Sequence, residues 1–329
     1  MTLFLDRIRA QASRIGSIRS IPPGFLLCIV LLLAWAAYHP GLSGGFIFDD
    51  LGNLPALGAF GPVDNATTFW RYITSGSADP TGRPLALLSF LIDADNWPAD
   101  PYPFKRTGAL LHLLNGFLLY VVLAQLGKFL GEADPERRFA AVLGAALWLL
   151  HPLFVSTTLY IVQREAMLPT TFVLLGLSGY VYGRGLAARG RMAGVALAAV
   201  SVCLCTALAI LSKANGALLP LLAWIVDAVL LRPHVVMHPR TRKVFALVRA
   251  SVLVAPSVLL LAYLAYKGWS GLTVGILAER PWTLGERLLT ESRVVMEYLS
   301  LLWIPRPYSS GLFNDAIVGF LDRLPDPSH

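Results

Sequence analysis

Charge is scarce in this sequence. Asp, Glu, Lys and Arg make up 14% of the 329 residues, where a soluble domain carries about a quarter. A chain 56% hydrophobic with so little charge cannot cover itself with an ordinary water-facing surface. Cysteine is scarcer still. Cys28, Cys203 and Cys205 are the whole set, all inside apolar stretches and without the spacing of a zinc site, which argues against disulfides and for simple packing roles. There is no Gly-rich phosphate loop, no heptad pattern and no internal repeat of 20–50 residues, which removes nucleotide-binding, coiled-coil and solenoid readings.

What is present is a series of long apolar runs. They predict an all-α polytopic membrane protein with about seven transmembrane helices, at 25–43, 107–127, 139–155, 166–183, 193–211, 217–231 and 250–267, each near the ~20 residues that cross the hydrocarbon core. The first lacks a clear small-residue cleavage site and is expected to stay as a span rather than leave as a signal peptide. The net charge of +7 does not indicate nucleic acid, because the basic residues sit in short connectors and not on one soluble face. With the N-terminus cytoplasmic, the inner segments 1–24, 128–138, 184–191 and 232–249 hold fifteen of the 27 basic residues, whereas His39 to Arg106 holds four against seven acids. That asymmetry follows the positive-inside rule. It places 44–106 outside, in the periplasm if the membrane is a bacterial inner membrane and in an organelle lumen otherwise.

The chain therefore divides into a basic cytoplasmic segment (1–24), a membrane core (25–267) containing the outer loop 44–106, and an outer-face helix with a tail (268–329). Within the loop, "ATTFWRYITSG" (66–76) and "RPLALLSFLIDADNW" (83–97) have apolar residues at helical spacing. They are expected to lie along the membrane surface with Trp70 and Trp97 at headgroup depth. "LGERLLTESRVVMEYLSLLWIP" (284–305) is long enough to span, but five charged residues make an outer-face helix the better reading.

Polar residues collect at the outer ends of the spans. Asp49 and Asp50 follow "GFIF"; His112 and Asn115 lie in the second span; His151, Gln163–Glu165 and "SKANG" (212–216) mark later junctions. Acid and base together at one leaflet suit a substrate that is half lipid and half polar. Cations can hold a lipid-linked phosphate, and a carboxylate can take a proton from an acceptor hydroxyl. Asp49 is the expected base, made more basic by an apolar approach and by Asp50 beside it. Asp50 is expected to orient it or touch the acceptor.

"FIFDD", "RPLALLSF", "HLLN", "HPLFVSTTLYIVQREAML", "LSKANGALLPLL" and "LLTESRVVMEYLSLLWIP" occur in this order over 46–305. In this respect the chain resembles the GT-C glycosyltransferases, close to the TMTC-type protein O-mannosyltransferases and their bacterial relatives. The resemblance implies a GT-C core module of seven spans and an inverting transfer from a polyprenyl-phosphate-linked sugar to a protein or glycan acceptor. It also implies that the first acid of the pair, Asp49, is the base. Arg83, Arg164, Lys213 and Arg293, with His112, are the candidate donor-phosphate and substrate contacts, and Arg164, Lys213 and Arg293 are expected to converge on one cavity. Relatives often read Lys-Glu-Asn-Gly where this chain has Ala214 in "SKANG", and often continue into further spans and a tetratricopeptide region that these residues do not contain. A catalytically degenerate or partner-dependent core is thus the alternative, followed by a lipid-linked substrate transporter, which would need polar residues near the midplane.

Simpler roles stand beside these. The Asp pair could end a helix in water, Arg164 could pair with Glu165 and Arg293 with Glu297, His112 and His151 could pack or cap, and Asp227 reads as a buried polar residue toward the inner side. No cofactor is called for. The sequence leaves sugar, acceptor and any divalent metal open, since one carboxylate pair gives too few hard oxygen ligands to argue for one.

Overall fold

The computed structural model describes residues 22–77, 79–131, 134–274 and 284–305, and every regular element among them is helical. Helix α1 (Pro23–Tyr38) opens on Pro, whose missing N–H is no loss in a first turn. Two short helices, α2 (Ala66–Ile73) and α3 (Pro84–Phe90), lie in the loop that follows. Then come α4 (Pro101–Phe129), α5 (Asp134–Leu149), α6 (Arg164–Ala188), α7 (Met192–Ser212) and α8 (Leu219–Val226). The series ends with α9 (Pro239–Val248), α10 (Ala255–Val274) and α11 (Leu284–Trp303). Most of the basic N-terminal segment and the tail beyond 305 lie outside the described residues.

Six stretches are long and apolar enough to cross a membrane: Pro23–Ser43, Pro101–Phe129, Ile161–Ala188, Met192–Ser212, Ala214–Leu231 and Pro239–Leu272. This is a multi-pass integral membrane protein. The stretch expected at 139–155 is not among the six. Helix α5 has 16 residues, about 24 Å of rise, and the chain breaks at His151-Pro152, because proline cannot continue a helix. Even so, α5 runs antiparallel along α4. Gly127 faces Arg137, Gly144 faces Leu123 and Gly116 faces Leu149, so α5 returns the chain from one end of the bundle to the other. Helix α11 is absent from the six, as its charges lead one to expect.

Between helices in lipid, close packing counts for more than the hydrophobic effect. Helices α6 and α7 meet backbone to backbone. A methyl group at Gly183 would lie 2.7 Å from the Gly194 carbonyl oxygen and the Ala198 nitrogen, and one at Gly194 would lie 2.5 Å from the Gly183 carbonyl oxygen. At the same end, the buried Arg184 and Asp227 pair at 2.7 Å, which gives Asp227 the interior role expected of it. All three cysteines are free thiols.

The loop has an apolar core of its own. Leu54, Leu57, Tyr72, Ile73, Leu87 and Phe90 pack on Phe104 of α4 and on Ile161. Each such side chain contributes roughly 1.5–3 kcal/mol when buried from water, so the loop is a folded cap on one end of the bundle. Helices α2 and α3 fall where the sequence puts them, with earlier ends. Trp70 is 62% exposed, but Trp97 turns inward and packs on Phe46, ring centroids 4.8 Å apart, so it joins the loop core.

Candidate functional site

Phe48, just before the Asp pair, has a φ of 46°, a left-handed conformation costly for a bulky residue, and Asp49 and Asp50 open the helical turn that follows. Asp50 is fully buried. Its Oδ1 accepts from the Val162 N–H at 2.9 Å and its Oδ2 from the Ile47 N–H at 3.1 Å, which ties the end of the apolar approach to the turn that opens α6. Burial pushes the Asp50 carboxyl above the usual range, while the bonds from Val162 and Ile47 and the charge of Lys105 pull the other way. Lys105 is itself buried and donates to the Leu159 carbonyl at 2.6 Å.

Asp49 is exposed. Its backbone N–H donates to the Tyr160 hydroxyl at 2.9 Å, and its carbonyl accepts from Asn53 Nδ2 at 2.8 Å. Burial, reinforced by the negative charges of Asp49 and Asp50, pushes the Tyr160 hydroxyl up, so it stays protonated. The Phe48 ring meets Tyr160 edge-on at 6.4 Å. Of the two acids, the desolvated one is therefore Asp50, whose carboxylate is drawn in by the Val162 and Ile47 N–H groups while Asp49 stays exposed. What results is a carboxylate on an exposed residue, beside the Tyr160 hydroxyl, on a backbone held by Tyr160 and Asn53.

The expected cations divide. Arg164 is 2% exposed and pairs with Asp93 at 2.6 Å; it also donates to the Ser89 and Phe104 carbonyls at 2.9 and 2.7 Å and lies 4.9 Å from the Phe90 ring centre. Its guanidinium is thus engaged inside the loop-bundle junction, with Asp93 and not Glu165 as its partner. Arg83, also in a left-handed conformation (φ 51°), bonds Asp79 at 2.7 Å and pairs with Glu165. The charge of the half-buried Lys213 acts on Glu165 as well. The structure therefore gathers Asp79, Arg83, Glu165 and Lys213. Arg293 is half-buried on α11, whose Leu302 carbonyl contacts His151 Nε2 at 3.1 Å, so α11 reaches the same end of the bundle. His112 is buried; its Nε2 bonds the Leu149 carbonyl at 3.0 Å, which requires the Nε2–H tautomer, and its ring stacks on Trp148 at 4.5 Å. It serves as a strut between α4 and α5. Among the described residues no group of three His, Cys, Asp or Glu side chains stands close enough to hold a metal ion.

Sequence reasoning missed Tyr160, Lys105, Asp79 and Asp93. Tyr160 lay in plain view inside "HPLFVSTTLYIVQREAML", but nothing local marks its hydroxyl as a partner for a backbone 111 residues earlier.

The chain is similar to human protein O-mannosyl-transferase TMTC4. The two are 27% identical over 172 residues, which cover 49% of this chain and 23% of the human protein. The match thus spans less than a quarter of that relative's length. No protein-family profile matches the chain, and no solved structure matches it.

Proposed function

We propose that this protein is an inverting membrane glycosyltransferase of GT-C type, moving a sugar from a polyprenyl-phosphate-linked donor to an acceptor hydroxyl on a protein or glycan. The observation that carries the reading is the divergence of the adjacent acids: Asp50 locked and buried, Asp49 exposed on a fixed turn. A general base must be reachable and held still, and Asp49 meets both conditions. The partial similarity to a protein O-mannosyl-transferase supports the same chemistry.

In this reading Asp49 takes the acceptor proton as the hydroxyl attacks the anomeric carbon, and the polyprenyl phosphate leaves. Arg83, Lys213 and Arg293 hold the departing phosphate. Arg164 and His112 act as positioning residues, fixing the cap and α5 from inside. Helix α5 serves as the seventh span, and the Asp49 end faces the periplasm or lumen, with membrane lipids around the bundle.

The test is turnover of purified full-length protein in nanodiscs, with polyprenyl-phosphate mannose and a Ser/Thr peptide as first substrates. Loss of a positioned base costs ~10²–10⁴-fold in rate, so Asp49→Asn is expected to fall by that much with donor binding unchanged. Asp49→Asn turning over like wild type would end the catalytic reading. A wild type that binds donor yet transfers only after a second protein is added would favour the partner-dependent core.

A further inference from the structure

The end of the bundle opposite Asp49 holds a cavity of about 640 Å³ between α4, α5 and α6, edged by His234–Val236. Helix α6 has 25 residues and rises roughly 37 Å, so this cavity and the Asp49 site are about a bilayer apart. The volume lies in the ~300–1,000 Å³ range of small-ligand sites.

Its lining changes character in one direction. Along α4 it passes from Val121 and Ala124 to Lys128; along α6, from Val181 and Tyr182 to Arg189 just past the helix end; Arg137 and Arg138 of α5 complete the rim. The apolar wall is therefore at membrane depth and the cations at the surface. Among the described residues the lining contains four Lys and Arg side chains and no carboxylate. Asp134 pairs with both Arg137 and Arg138, but neither Lys128 nor Arg189 forms an ion pair among the described residues. Two polar atoms in the wall are buried without a hydrogen-bond partner, Gln125 Oε1 and Arg137 Nε.

We propose that this cavity is a binding site for an anionic phospholipid, its phosphate among Lys128, Arg137 and Arg189 and an acyl chain along Val121, Ala124 and Tyr182. A free anion would gain nothing from the apolar wall, and a zwitterionic lipid would bring a second cation to a cationic rim. An anionic lipid meets both halves.

The probe is phosphatidylglycerol added to the full-length protein in phosphatidylcholine nanodiscs, read by native mass spectrometry and by the thermal midpoint. Phosphatidylglycerol should be retained and raise the midpoint, whereas phosphatidylcholine of the same chains and inorganic phosphate should do neither. Two surface cations contribute about a tenfold to thirtyfold gain in affinity, and Lys128→Ala with Arg189→Ala should lose it. Both side chains are exposed, so folding is preserved. Arg232→Ala, an exposed cation not in the lining, should leave retention unchanged. The proposal fails if inorganic phosphate protects as well as the lipid, if the double variant retains lipid like wild type, or if Arg232→Ala loses as much.

Discussion

Phe48 holds a conformation that favours glycine, and the bonds around it explain why it persists. Both Asp50 oxygens accept backbone N–H groups, so Asp50→Asn would turn an amide NH₂ toward one of those donors. A buried donor left unmet costs ~1–3 kcal/mol, and Asp50→Asn should therefore lower the thermal midpoint more than Asp49→Asn, whose residue is exposed and whose side chain meets, among the described residues, only the Tyr160 hydroxyl. A scan of both variants in the same nanodiscs decides. Asp79 gives a pH signature. Burial opposes its charge, but hydrogen bonds from Thr81 and Arg83 and the Arg83 charge win and hold its carboxyl at about 2, against an ordinary 3.8. A folded value below the free one means stability present above about pH 4 and lost as the pH falls toward 2. The midpoint gap between wild type and Asp79→Asn should thus shrink from pH 5 to pH 3; a constant gap would contradict it. None of this divergence was legible locally. Two adjacent Asp residues look alike in sequence, and what separates them is a partner at Val162, contributed by another helix.

At the level of elements, hydropathy located the spans well because a bilayer requires each crossing helix to satisfy its own backbone. The exception has a physical reason: 139–155 overlaps a helix whose first turns carry Asp134, Glu136, Arg137 and Arg138 and which stops before a proline. The partners of the charged residues were not readable, since Arg164 and Asp93, or Arg83 and Glu165, meet only when the loop folds onto α6. The α6–α7 contact yields a sharper expectation. A methyl group at Gly183 has backbone, not a flexible side chain, in its way, so the helices must part. Gly183→Ala should destabilise by roughly 1–3 kcal/mol, seen as a lower thermal midpoint, while Gly24→Ala, with nothing within 4 Å, should be silent.

For the whole molecule, the loop cap and the junctions at 150–163 and 213–218 share one end, and the Arg-rich connectors share the other. Positive-inside orientation predicts that, in a cysteine-free background, Ser77→Cys reacts with an impermeant reagent on intact cells while Arg191→Cys does not. The reverse pattern would invert the assignment. The Arg184–Asp227 pair adds a consequence in time. Asp227 leaves the ribosome about forty residues after Arg184, a lag of roughly 2–8 s at ~5–20 residues per second. During that interval Arg184 has no counter-charge, and its place near the end of α6 lets the long side chain reach the interface meanwhile. The two are paired in the folded protein, so the arrival of the later helix is expected to latch the earlier hairpin. A nascent chain stopped before Asp227 should remain open to proteolysis at the Arg189–Arg191 connector, and one carried past it should not.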